Sequence, residues 1–86
     1  MKRYRCRHDI VASILEGVRD GASRISHIAR AANLPLDRAR ALLEDLVEHG
    51  LLIYDYVTRE YSLTDLAYEW LALYEKLREV YDASRV

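Results

Sequence analysis

The side chains in this chain with the clearest chemical potential are arginines. Arg38 and Arg40 stand two apart in the segment from Ala31 to Leu52, AANLPLDRARALLEDLVEHGLL, and Arg24 and Arg30 bracket Ser26 and His27 just upstream. A guanidinium is always charged and presents a planar fork of donors, so it pairs with carboxylates, phosphates or the acceptor edge of a base. Catalysis needs other groupings. The sequence has no phosphate-cradling glycine loop and no Cys-His or Ser-His-Asp spacing. Its three scattered histidines and single cysteine, Cys6, form no metal-ligand pattern, and one cysteine cannot make an internal disulfide. No enzyme, metal or cofactor is expected. Cys6 reads as an incidental thiol, with an intermolecular disulfide or a redox sensor as the alternative.

The net charge of −1 hides a polarity. Residues 1–40 hold nine Lys/Arg against four Asp/Glu, hence +5, and residues 41–86 hold four against ten, hence −6. A basic end joined to an acidic remainder suggests a functional end and a scaffold, without naming the partner. Residues 1–7, MKRYRCR, carry four of the basic groups and no helical apolar period. They read as a solvated tail or as an arm laid along phosphates or into a minor groove.

The elements that must position the arginines fit one domain. A chain of 86 residues that is 51% hydrophobic, with three glycines and one proline, has a core to bury and little linker. No apolar run approaches the roughly 18 residues of a membrane span, and the N-terminus lacks the apolar core of a secretion signal, so a soluble, cytoplasmic protein is expected.

Ile10, Val11, Ile14, Leu15 and Val18 mark an amphipathic helix from His8 to about Asp20, ended by Gly21. Ser23 is a candidate N-cap for a short second helix with Ile25, Ile28, Ala29 and Ala32 inward and Arg24, Ser26, His27 and Arg30 outward. The small residues Ala29, Ala31 and Ala32 suit a close helix crossing. Asn33-Leu34-Pro35 then makes a turn, and a third helix begins at about Pro35, since proline is favoured in a first helical turn. Leu36, Ala39, Leu42, Leu43, Leu46 and Val47 form its inner face, and Gly50 ends it after His49. Two helices joined by so short a turn have helix-turn-helix spacing.

Leu51 to Tyr56 and Arg59 to Leu63 fit the strands of a hairpin turning around Val57 and Thr58, with Arg59 its only basic residue beside Asp55 and Glu60. Thr64 and Asp65 open a long last helix. Leu63, Leu66, Trp70, Leu73, Leu77 and Val80 follow heptad spacing along it, widened by Ala67, Tyr74 and Tyr81. A helix of about 18 residues is roughly 27 Å long and would project past so small a body. Leaving its apolar side chains in water would forfeit about 1.5 to 3 kcal/mol each, so a dimer through Leu66, Trp70, Leu73, Tyr74, Leu77, Val80 and Tyr81 is expected. The alternative is a helix folded back over the first one.

The order helix, helix, turn, helix, hairpin, long helix gives an α+β, mainly α architecture. Ala32-Asn33-Leu34-Pro35 at the turn, Leu43 to Leu52 leaving the third helix and Tyr61-Ser62-Leu63-Thr64 entering the fourth resemble the winged helix-turn-helix of small archaeal regulators and chromatin-type proteins that dimerise through a C-terminal antiparallel coiled coil. The resemblance divides the chain into a basic tail at 1–7, a winged helix-turn-helix at 8–63 and a dimerisation helix at 64–86. It implies a nucleoid-associated transcriptional regulator bound to double-stranded DNA as a homodimer, with the third helix in the major groove. Carried onto these residues, the DNA contacts are Pro35, Leu36, Asp37, Arg38, Arg40 and Ala41, then Arg24, Ser26, His27 and Arg30, then Arg59. Arg38 or Arg40 would read guanine, and Arg24 and Arg30 would neutralise phosphates. Glu44, Asp45 and Glu48 restrict the reading to the first two turns. The competing expectation is a winged-helix module that docks onto another protein in a transcription or chromatin assembly.

Overall fold

The computed structural model describes residues 7–84, and side chains as far as residue 80. Most of the basic tail, Cys6 and the Tyr81 side chain therefore lie outside the described residues. The elements run α1 (Arg7–Arg19), α2 (Ile25–Ala31), α3 (Leu36–Glu48), β1 (Leu52–Asp55), β2 (Glu60–Leu63) and α4 (Asp65–Ser84).

The first three helices end alike. Each finishes in a left-handed residue, Gly21, Asn33 or Gly50, followed by an amide that reaches back to close the last turn: Ala22 to Gly17, Leu34 to Ala29 and Leu51 to Leu46, each at 2.9 Å. This paired closure satisfies carbonyls that a helix end would orphan, and it turns the chain back toward the core. Asn33 tolerates the conformation better than most non-glycine residues. It thereby sets the turn between α2 and α3.

Ile14, Leu15, Ile28, Leu43 and Leu52 are fully buried and join α1, α2, α3 and β1 in one core. α1 and α2 approach closely where Gly17 meets Ala31; a methyl group at Gly17 would stand 3.2 Å from the Ala31 Cβ. The strands pair antiparallel with Tyr54 opposite Tyr61 and Asp55 opposite Glu60. The Tyr61 amide also donates to the Ser23 carbonyl at 2.8 Å, which stitches the segment before α2 onto β2.

Several expectations are corrected. Arg24 and not Ser23 occupies the cap position of α2, with no side-chain cap. Ser23 instead spends its carbonyl on β2. Pro35 precedes α3 as its cap instead of lying inside it, and Leu36, expected on the inner face, is 44% exposed. Arg7 belongs to α1 and pairs with Asp45 of α3 at 3.0 Å, so it is no part of a tail.

The largest revision concerns α4. Ala67 and Leu71 face the core, and Leu71 had no place in the heptad stripe. Trp70 and Tyr74, half-buried, pack toward α1: Trp70 lies 6.1 Å from the His8 ring, and the Tyr74 hydroxyl donates to the Asp9 carboxylate. Leu66, Leu73, Leu77 and Val80 remain exposed. The helix carries two adjacent apolar stripes, and its docking angle buries only one of them.

Candidate nucleic-acid interface

The sequence places Arg24, Ser26, His27 and Arg30 on the outer side of α2, and all four are exposed. Pro35, Leu36, Asp37, Arg38, Arg40 and Ala41 at the start of α3 are exposed as well, as is Arg59 in the wing. The first two groups lie at and along α2 and at the start of α3, two helices that pack against each other across the turn at Asn33.

Their arrangement within α3 is less simple than their spacing. Successive residues turn by about 100°, so Arg38 and Arg40 sit roughly 160° apart around the axis. Ala39, Leu42, Leu43 and Leu46 face the core. The outward pole therefore holds Asp37, Ala41, Glu44 and Glu48, with one arginine on each flank. Arg40 is on the wing side, where its charge acts on Tyr61. Arg38 is on the side of Asp45, which Arg7 holds.

Other cations are engaged in the scaffold. Arg19 is hydrogen-bonded to Asp20 at 3.3 Å and lies 3.7 Å from Glu75 of α4; the Asp20 bond chiefly raises its pKa. Arg24 reaches Glu60 of the wing at 4.0 Å, linking α2 to β2.

The wing owes its shape to a residue that the sequence reading treated only as a charge. One Asp55 carboxylate oxygen accepts from the Val57 amide at 2.9 Å and the Thr58 amide at 3.3 Å, and the Asp55 carbonyl accepts from Arg59 at 2.7 Å. Arg59 takes the left-handed conformation, φ 62°. This is the Asx type of turn, which needs neither glycine nor proline. Aspartate at the end of a β-branched and aromatic run was the available signal.

A second missed feature is a row of tyrosines. Tyr54 and Tyr61 oppose each other with ring centroids 4.6 Å apart, and Tyr56 meets Tyr54 edge-on at 4.9 Å and 88°. The two-residue spacing of Tyr54 in β1 and Tyr56 just after it was its signal, because residues two apart in extended backbone share a face. Burial raises the Tyr61 pKa, Tyr54 and Glu44 add to the shift, and Arg40 opposes it. Among the described residues no group of three His, Cys, Asp or Glu side chains is placed to hold a metal, and no helix is long and apolar enough to cross a membrane.

A model of the winged helix-turn-helix family matches residues 4–82. The chain belongs to that family. Its α2 and α3 are the helix-turn-helix pair, and β1 and β2 are the wing. Among solved structures it is similar to an O-methyltransferase of neocarzinostatin biosynthesis in complex with S-adenosyl-L-homocysteine, at 26% identity and a TM-score of 0.63. That likeness covers 71% of this winged helix-turn-helix chain but 20% of the methyltransferase, so this chain spans about a fifth of that protein's length. Among curated proteins nothing matches the chain.

Proposed function

We propose that this winged helix-turn-helix chain is a non-catalytic, DNA-binding transcriptional regulator that places the first two turns of α3 in the major groove. The observation that carries the reading is the placement of exposed Arg38 and Arg40 on opposite flanks of α3, beside exposed Arg30 on α2 and exposed Arg24 at its cap. A helix in a groove about 12 Å wide has a phosphate backbone on either side. Two arginines on opposite flanks suit those two backbones. The outward pole then meets base edges: Asp37 can accept from a cytosine amino group, and Ala41 can contact a thymine methyl. This divides the roles differently from the resemblance, which gave guanine to Arg38 or Arg40. Ser26, His27 and Arg30 brace α2 on the adjoining backbone.

The regulator acts as a homodimer through α4. Exposed Leu66, Leu73, Leu77 and Val80 support this, edged by half-buried Trp70. Glu69 and Lys76 lie one heptad apart on one flank of that stripe. Two copies running antiparallel bring Glu69 of each opposite Lys76 of the other. A parallel pair would set both against the flank of Ala67 and Tyr74, which carries no charge. A two-fold pair of domains then addresses two half-sites.

The second reading is a protein-docking module in a transcription or chromatin assembly. The acidic outward pole at Asp37, Glu44 and Glu48 favours it. Titration of a labelled random-sequence duplex library against salt separates the two. DNA binding gives log K falling with log salt at about −0.9 per neutralised phosphate, and Arg38→Ala with Arg40→Ala makes that slope shallower. No binding to any duplex at low salt discards the regulator reading.

A further inference from the structure

We propose that the wing carries a base-stacking site in which Tyr56, backed by Tyr54 and Tyr61, takes an unpaired nucleobase of the DNA held by α3. The proposal rests on the DNA-binding reading above and changes what the wing does within it.

Tyr56 and Val57, at 84% and 91% exposed, are the most exposed large apolar side chains among the described residues. They do not sit on a loose loop. The amides of Val57 and Thr58 are held by the Asp55 carboxylate and that of Arg59 by the Asp55 carbonyl. A tip already ordered loses little further freedom when it binds. Behind it, Tyr54 supports Tyr56 edge-on and Tyr61 supports Tyr54 across the strands. The row runs from Tyr61 in β2 through Tyr54 in β1 to Tyr56 at the turn.

Charge decides what this row fits. A phosphate contact needs cations, yet Asp55 and Glu60 face each other where the strands meet the turn. Stacking on a tyrosine ring needs no charge, and every base has a π-face. In a paired duplex those faces are covered by neighbouring bases, so the ring can reach only a base that has left the stack.

The test compares the anisotropy of one labelled duplex with that of the same duplex carrying a short central bubble. The wild-type chain should bind the bubble about tenfold more tightly, the factor expected of one base–aromatic stack. Tyr56→Ala should abolish the difference while leaving the affinity for paired duplex unchanged, and Tyr56→Phe, which keeps the ring, should restore it. Far-UV circular dichroism checks that these tip variants stay folded. Equal binding of the two DNAs by the wild type, or a bubble preference that survives Tyr56→Ala, overturns the stacking site and leaves duplex recognition standing. Binding of neither DNA overturns the DNA-binding reading and the stacking site together.

Discussion

The Tyr74 hydroxyl of α4 donates a hydrogen bond to the Asp9 carboxylate in the first turn of α1, joining residues 65 apart in the chain. The Tyr74 ring also stacks on Trp70, with centroids 5.5 Å apart and planes within 7°. Together these contacts set the angle at which α4 leaves the domain.

Removing the hydroxyl alone tests the bond. Tyr74→Phe should cost about 1 to 2 kcal/mol, the lower part of the range for a bond to a charged acceptor because the pair is only half-buried. Tyr74→Ala should cost more, by about 0.5 to 1.5 kcal/mol for the lost stack in addition to lost burial. Urea denaturation reads both. Equal stability of Tyr74→Phe and wild type would remove the bond from the account of how α4 is anchored.

Thr64 joins the wing to α4 through both functions of one hydroxyl. It donates to the Gly50 carbonyl at 2.7 Å and accepts from the Ala67 amide at 3.2 Å. Thr64→Ala should therefore cost about 1 to 2 kcal/mol, whereas Thr64→Ser should stay near wild type. In a domain of this size each kcal/mol lowers Tm by about 4–8 °C, so a thermal scan resolves the pair.

The two stripes of α4 make opposite predictions. Leu73→Glu with Leu77→Glu alters side chains 64% and 71% exposed, so the fold should persist while the solution mass falls from dimer to monomer. Leu71→Glu introduces a charge at a position 3% exposed and should unfold the domain. Glu69→Lys alone should weaken the antiparallel dimer, and adding Lys76→Glu should restore it. Sedimentation of the four variants checks this. A wild-type monomer would exclude the dimer outright.

Stability at alkaline pH should bend with Tyr61. Its pKa is raised above 10.0 in the folded chain, mainly by burial, so folding favours the neutral phenol. That contribution is fully present below the unfolded pKa of about 10 and is lost as pH rises through the higher folded value. Tyr61→Phe should flatten the decline of Tm above pH 10 and leave its neighbourhood below that pH unchanged. Parallel declines in the two proteins would remove Tyr61 as the cause.

Much of the scaffold beneath the candidate interface was legible because its determinants are local. Gly50 after a helical period, Thr64 with Asp65 ahead of another, and Asn33 before Leu34-Pro35 each act within one turn of backbone, so reading the sequence found the stop, the start and the turn. The outward exposure of Arg24, Arg30, Arg38 and Arg40 followed from the same period. The wing turn lies around Val57 and Thr58 as the sequence indicates, but what holds it was not legible, because Asp55 works through its side chain on amides two and three residues ahead and leaves no glycine or proline as a sign.

The sequence by itself determined which elements form and where each ends, since those depend on backbone conformation and apolar period within a few residues. Only the tertiary structure decided which side of α4 is used. α4 has apolar side chains around nearly half its circumference, and periodicity gives the Leu71 side and the Leu73 side equal claim. What separates them is the rotation at which α4 docks on α1, set by Trp70 and Tyr74 against His8 and Asp9. Arg38 and Arg40 follow the same logic. Neighbours in sequence, they are divided by the burial of Ala39 between them, which turns one toward the wing and the other toward α1.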